Sequence, residues 1–334
     1  MTRLVFVTQQ VDPEHPVLSA AVPKICALAA RVGEVDVLAL RAVPGVLPAN
    51  CRVREFGAAT KAARTARYVA ALASTLRRPR PLAVVVQSSP VYAVLAAPLA
   101  RPVRVPVLLW FTQARGGRLL HVAARTADAI LTVDRRSVPL ASPKVRPIGH
   151  GIDVGAIPCA DPREPSGVLR LLGLGRYNPS KGWDVAVRAL ADVPAAELTI
   201  HGSLEHDGDR RFKAELTRIA SELGVDARLR LEEAVPRSRV PELLADCDAL
   251  VNPTGGTTAD KVVFEAAAAC RPVFARSPVF ESLLPSELRF HDAASLAERL
   301  RAFRGFDARP LRAQVEREHS VEHWADAVLE AGRR

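Results

Sequence analysis

The chain has 334 residues, 49% of them hydrophobic, and 46 Lys and Arg against 36 Asp and Glu, for a formal net charge of +10. That composition excludes a disordered chain, and the length allows two domains of roughly 150 residues, each with its own core. The sequence has no run of about 18 uncharged apolar residues and opens directly into a strand without a signal peptide, which predicts a soluble, intracellular protein of the cytoplasm.

Taken in chain order, apolar runs at Leu4 to Val7, Val35 to Leu40, Leu82 to Val86, Val107 to Trp110 and Ala129 to Val133 alternate with helical or loop stretches. Such a βαβ series predicts a parallel sheet covered on both faces. Between two of these strands, Lys61 to Leu76 reads as a helix with Ala62, Ala66, Val69, Leu72, Ala73 and Leu76 inward. Lys61, Arg64 and Arg67 lie off that stripe, and Arg77, Arg78 and Arg80 follow at once. This face reads either as a solvated surface or as a patch for anionic lipid headgroups. The charge is uneven: residues 1 to 160 hold 21 Lys and Arg against 8 Asp and Glu, and the remainder holds 25 against 28. A polar, proline-bearing stretch at 159–166 reads as a linker. A second series follows, at Leu169 to Leu174, Glu197 to His201, Arg228 to Leu231, Ala249 to Val251 and Val273 to Ala275. The expected architecture is an α/β pair of doubly wound domains, 1–158 and 167–318, facing a cleft. A terminal helix at 319–334 is capped by Ser320 and expected to pack back on the first domain.

The most informative segment is Gly175-Arg176-Tyr177-Asn178-Pro179-Ser180-Lys181-Gly182, which sets two cations five residues apart between a strand and a helix. Such a turn can aim an Arg fork, a Lys point charge and helix N–H groups at phosphate oxygens. It lacks the spacing of a Walker loop and of a dinucleotide fingerprint. Taken by itself it also reads as a surface turn with two solvated charges. The five cysteines, Cys26, Cys51, Cys159, Cys247 and Cys270, are scattered and form no CxxC pair, so they read as buried or reduced thiols. Asp207-Gly208-Asp209 has a DxD form suited to a divalent metal, but its polar loop context favours a solvated helix N-terminus. Asp246 and Asp248 fit a cap or salt-bridge role. The pI near 9.9 raises nucleic-acid binding, yet no helix-turn-helix, zinc pattern or aromatic platform accompanies it.

These pieces together resemble the GT-B glycosyltransferases, in particular the large retaining group called family 4, over nearly the whole chain. Gly175-Arg176 with Lys181-Gly182 is similar to that family's GR....KG segment. Leu198 to Ser203 resembles its strand ending in a glycine, here Gly202, and Asp246 to Thr254 resembles its aD..v.PS segment. Asp260 to Val273 resembles its LEAMA.G.PV stretch. In the first half, Pro106 to Thr112, Ala127 to Thr132 and Ile148 to Asp153 are similar to its P.v.w.TH, AD.I.T and iGnGiD segments.

The resemblance implies two tandem Rossmann-like domains and a metal-independent, hexosyl-type retaining transferase without a cofactor, which uses a nucleoside diphosphate sugar. The acceptor would be lipid-linked, a glycan or a small molecule, in envelope polysaccharide or glycoconjugate biosynthesis. Arg176 and Lys181 would grip the diphosphate and stabilise it as it leaves. Glu265 would hold the ribose hydroxyls, or alternatively pair with Lys261 one helical turn away. Gly202, Val235, Thr257, Thr258, Asp260 and Lys261 would complete the donor site, with the Thr254 to Thr258 stretch offering backbone N–H groups at a helix start, or serving as a plain turn. Gln87 and Gln113 would contact the acceptor, and His15, in the loop after the first strand, reads as a further acceptor contact or as an ordinary loop histidine. An anionic membrane surface would meet the basic first domain, as a peripheral association, and no nucleic acid is expected. Three departures stand out. Thr257 replaces a usual glutamate, Gln113 replaces a usual histidine and cannot take a proton, and Cys270 takes a usual glycine position, where a left-handed backbone costs roughly 1 kcal/mol. The first two also motivate an alternative, a catalytically inactive relative that binds nucleotide or a partner enzyme.

Overall fold

The computed structural model describes residues 2–15, 18–162, 165 and 167–333; within the expected linker, 163, 164 and 166 lie outside the described residues. The chain divides into two compact units, Met1–Asp153 with Glu318–Arg334, and Val154–Arg317.

The first unit runs β1 (Arg3–Val11), α1 (Ala21–Ala29), β2 (Glu34–Ala42), β3 (Cys51–Glu55), α2 (Lys61–Leu76), β4 (Val84–Gln87), α3 (Pro90–Ala100), β5 (Val107–Trp110), α4 (Arg118–Thr126), β6 (Ala129–Thr132) and β7 (Val145–Pro147). Its strands form one sheet in the order β3-β2-β1-β4-β5-β6-β7, with every pairing parallel. Five of them occupy the apolar runs of the sequence, because strands covered on both faces read as unbroken hydrophobic segments. β3 escapes that signal: it is an edge strand whose residues, Cys-Arg-Val-Arg-Glu, are mostly exposed. β7 escapes it by its length of three residues.

On one sheet face, Val5, Val86, Val107 and Leu109 pack with Tyr68 and Leu72 of α2, Ala96 and Ala100 of α3, and Leu120 and Ala123 of α4. The inward stripe of α2 differs from the expected one. Tyr68, Leu72, Thr75 and Leu76 are buried, while Ala62 and Ala66 are exposed. A tyrosine ring buries far more apolar area than two alanines, and its hydroxyl donates to the Tyr92 carbonyl at 2.9 Å. The following cations are not all free for a lipid surface either: Arg78 pairs with Glu34 and Asp36, each at 2.7 Å.

The second unit runs β8 (Leu169–Leu174), α5 (Trp183–Ala191), β9 (Ala196–Gly202), α6 (Asp207–Glu222), β10 (Leu229–Glu233), α7 (Val240–Asp246), β11 (Ala249–Asn252), α8 (Lys261–Ala268), β12 (Val273–Ala275), α9 (Ala293–Ala302) and α10 (Arg309–His319). Its parallel sheet has the order β10-β9-β8-β11-β12. The final helix, α11 (Val321–Arg333), belongs to the first unit. Ser320 Oγ accepts from the His323 N–H at 3.2 Å, and Trp324 sets its ring edge-on to Trp110, 5.9 Å away, and to Phe6, 6.4 Å away.

The cysteines correct the sequence reading. Cys159 and Cys270 form a disulfide across 111 residues, with Cα atoms 5.0 Å apart; only the tertiary fold could bring together two cysteines so far separated in sequence. Cys26, Cys51 and Cys247 are free, and burial pushes the Cys247 thiol up to about 12.

Candidate active site

In an open parallel sheet, ligands bind beyond the carboxyl ends of the strands, where the connection order reverses. In the second unit β8, β9 and β10 run to one side and β11 and β12 to the other, so the reversal falls between β8 and β11. The loops leaving those two strands are 175–182 and 253–260, and an ion pair joins them. Lys181 Nζ donates to both oxygens of Asp260, at 2.7 and 2.8 Å. Asp260 Oδ2 also accepts from Asn252 Nδ2 at 3.0 Å and Thr254 Oγ1 at 2.6 Å. Burial works to raise the Asp260 carboxyl, but the Lys181 charge and these hydrogen bonds outweigh it and hold the group below the usual carboxylate range.

The first loop is pinned along its length. Trp183 Nε1 donates to the Arg176 carbonyl at 2.9 Å, and the buried Tyr177 hydroxyl lies 2.8 Å from the Ile200 carbonyl and 2.7 Å from that of Glu232. Gly182 closes the loop in the left-handed region, with φ +69°, where a β-carbon would also meet the Pro253 carbonyl oxygen 2.5 Å away. Gly202 leaves room for the Gly175 carbonyl and the Tyr177 ring. Lys181 and its bridge are therefore set by packing, while Arg176 is half-exposed and pairs with Glu205 at 2.9 Å.

Behind this bridge, α8 places Glu265, only 1% exposed, with Arg237 Nη2 at 2.8 Å and Lys261 Nζ at 3.4 Å from its Oε1. Of the two readings of Glu265, the Lys261 pair is present, and Arg237 joins it as a cation the sequence did not single out. Desolvation pulls the Lys261 ammonium down, Glu265 resists, and Arg237 adds to the lowering. Thr257 and Thr258 lie in the loop, and α8 begins three residues later at Lys261, so they do not form the expected helix start. The helix opens after Asp260, whose carboxylate is spent on Lys181 rather than on a cap. Val235 is half-buried in the loop after β10.

Asp209, expected to be solvated, is buried. It accepts from the Glu205 and His206 N–H groups at 2.9 and 3.2 Å and from Asn178 Nδ2 at 3.2 Å, which ties α6 to the 175–182 loop. Asp248 accepts from the Arg170 N–H at 2.8 Å and pairs with its guanidinium at 3.3 Å. Among the described residues no group of three or more His, Cys, Asp or Glu side chains is placed to hold a metal ion, and no helix is long and apolar enough to cross a membrane.

In the first unit the reversal falls between β1 and β4. Gln87 ends β4, buried, and its Oε1 has no hydrogen-bond partner among the described residues. Ser88 follows with φ 58°, a left-handed conformation unusual for serine, and Ser89 Oγ accepts from Gln9 Nε2 at 2.9 Å, linking the two strand ends. His15 lies in the loop after β1, its Nδ1 accepting from the Leu18 N–H at 3.0 Å. Gln113 is exposed in the segment after β5. Beside Gln9 a cavity of about 620 Å³ is lined by Gln10, Arg41, Glu55 and Arg64 among others. Neither Gln9 nor this cavity was legible in the sequence, because the Ser89 bond joins residues 80 apart and the cavity wall at Glu55 ends β3, a strand without an apolar run.

Two doubly wound parallel units of seven and five strands, each with a polar cluster at its reversal point, define the GT-B fold of glycosyltransferases. Residues 169–302 match the family described as "Glycosyl transferases group 1". The chain is 26% identical over 242 residues to D-inositol 3-phosphate glycosyltransferase 1 of Catenulispora acidiphila; the match covers 64% of this chain and 56% of that relative's own length. It is similar in fold to sucrose-phosphate synthase of Thermosynechococcus elongatus, with a TM-score of 0.78, 17% identity and coverage of 100% and 98% of the two chains. It is likewise similar to Anabaena Alr3699/HepE in complex with UDP-glucose, with a TM-score of 0.78, 16% identity and 99% of each chain covered.

Proposed function

We propose that the protein transfers a sugar, with retention of configuration, from a nucleoside diphosphate sugar to a hydroxyl-bearing acceptor. The observation that carries this reading is the Lys181–Asp260 bridge at the β8/β11 reversal, with Arg176 on the same loop. A diphosphate arriving there competes with Glu205 for Arg176, because two phosphoryl groups carry more charge than one carboxylate. Lys181, held by Asp260, stays oriented and takes up negative charge as the bond from sugar to phosphate breaks. This positive charge comes from the protein itself, so the reading is metal-independent and needs no cofactor. Glu265 accepts from the ribose hydroxyls, and Gly202 and Val235 border the base. Thr257, Thr258, Asp260 and Lys261 complete the donor contacts. HepE binds UDP and UDP-glucose, which makes UDP-sugars the first donors to test.

The acceptor belongs to the first unit. The orphaned Gln87 Oε1 suits an acceptor hydroxyl as donor, and His15 and Gln113 are its further contacts. The neighbouring cavity, with amides, a carboxylate and two guanidinium groups, fits a polyol bearing a negative group. The substrate in the curated relative's name, D-inositol 3-phosphate, has that chemistry. A glycan or lipid-linked acceptor of envelope or glycoconjugate synthesis falls in the same class. No side chain at the acceptor cluster is required as a base, since a donor phosphate oxygen can take the hydroxyl proton.

The test is a screen of nucleotide sugars against such acceptors, with the product anomer read by NMR. Arg176→Ala and Lys181→Ala should each lower kcat/KM by roughly 100-fold or more. Turnover unchanged in both variants would refute the reading. Binding of nucleotide without turnover across all donors would favour the inactive-relative alternative that Thr257 and Gln113 motivate.

A further inference from the structure

In the first unit α2, α3 and α4 form one helical layer over a shared core. The 72 residues that build it, 56–127, carry eleven Lys and Arg and not one Asp or Glu. Some of these cations are engaged: Arg67 donates to the Gly57 carbonyl at 2.5 Å, Arg78 pairs with Glu34 and Asp36, and Arg80 donates to the Arg104 carbonyl. Lys61, Arg77, Arg101, Arg104, Arg118 and Arg125 are exposed, and none has a carboxylate partner among the described residues. A solvated protein face normally intersperses both signs, so an uncompensated layer attracts a polyanion.

The apolar surface falls in the same place. Of nine exposed large hydrophobic residues among those described, four, Val91, Val103, Leu119 and Val122, lie in this layer, and Leu119 is 52% exposed. On α4 the inner side is Leu120 and Ala123, both buried. Arg118, Val122 and Arg125, at i, i+4 and i+7, form the outer line, with Leu119 beside it. Val103 stands between the exposed Arg101 and Arg104. Cations alternating with bare aliphatic side chains suit a surface that is anionic at one depth and oily a few ångströms deeper.

We propose that this α4-centred face docks on an anionic lipid bilayer, with α4 lying in the plane of the headgroups. Leu119, Val122 and Val103 enter the boundary of the acyl chains, and the four arginines around them bond lipid phosphates. A nucleic-acid backbone would satisfy the cations but leave the aliphatic side chains in water, and the outer line of α4 carries no aromatic ring for base stacking. The inference rests on the transferase reading for its use, the presentation of a membrane-bound acceptor, and on the first unit alone for its chemistry.

The experiment is co-sedimentation of the full chain with phosphatidylcholine vesicles, with and without about one third phosphatidylglycerol. Binding is expected only with the anionic lipid, and weaker by roughly tenfold or more when salt rises from about 0.1 M to about 0.5 M. Arg118→Gln with Arg125→Gln should weaken it by at least roughly tenfold, and Leu119→Gln with Val122→Gln by several-fold. UDP binding and turnover of a soluble acceptor should be unchanged in both double variants, whose altered side chains are exposed. Equal binding to both vesicle types, no binding to either, or silent double variants would overturn the proposal. Retention by DNA with silent Leu119 and Val122 changes would assign the face to a phosphate backbone instead, and overturn it too. Vesicle binding that survives in a protein unable to turn over any donor would refute the transferase reading and leave the docking face standing.

Discussion

At the scale of single residues, the candidate site turns on Lys181 and Asp260, two largely enclosed charges that satisfy one another. Removing one partner strands the other. Lys181→Ala is therefore expected to cost about 2–4 kcal/mol of stability in urea unfolding, and Lys181→Met with Asp260→Asn to recover part of that loss. The Asp260 carboxyl is held below its ordinary range, so the folded state binds its proton less readily than the unfolded chain does. Its contribution is present above the unfolded carboxyl value, about 3.9, and is lost as pH falls through the lower folded one; Lys181→Ala should blunt that acid sensitivity. Arg176, Lys181 and Glu265 were legible because a motif fixes their spacing along one loop or helix. Arg237 and Tyr177 were not: one reaches Glu265 from a segment 28 residues earlier, and the other acts through carbonyls on two different strands.

At the scale of elements, the end of α8 shows how a local rule is overridden. Cys270 adopts φ 55°, where glycine is usual, and the bond to Cys159 fastens that turn. The segment around Cys159 is further tied to α8 by the Ala160 N–H to the Ala269 carbonyl at 3.0 Å. Reductant should lower the melting temperature of the wild type, by the equivalent of about 2–5 kcal/mol in the chain-entropy view. Cys270→Gly should be insensitive to reductant and more stable than the reduced wild type by about 1 kcal/mol, because glycine accepts the left-handed turn. At the junction of α10 and α11, burial drives the His319 imidazole down to about 4, aided by His323 and against opposing pulls from Glu318 and Asp134. A depressed folded value means that stability is complete above about 6.5 and falls as pH drops toward 4, by up to ~3 kcal/mol. His319→Gln should flatten the melting curve across that window. Ten strands were readable from the two strand series of the sequence, whereas β3, with alternating charges, and β7, three residues long, exist only through their partners in the sheet.

At the scale of the whole molecule, the tandem architecture was legible because each βαβ series repeats the same alternation of buried strand and amphipathic helix. What each unit offers at its reversal point was half-legible: the cationic loop after β8 could be read, but the orphaned Gln87 oxygen, the strained Ser88 and the cavity beside Gln9 needed strand order. The division of labour between a donor-binding second unit and an acceptor-binding first unit can be tested by calorimetric titration of UDP into the wild type, Lys181→Ala, Arg176→Ala and Gln87→Leu. The expected result is binding to the wild type and to Gln87→Leu with equal affinity, and at least roughly tenfold weaker binding to the two cation variants. Equal affinity in all four proteins, or no binding of UDP or any other nucleoside diphosphate to the wild type, would contradict it.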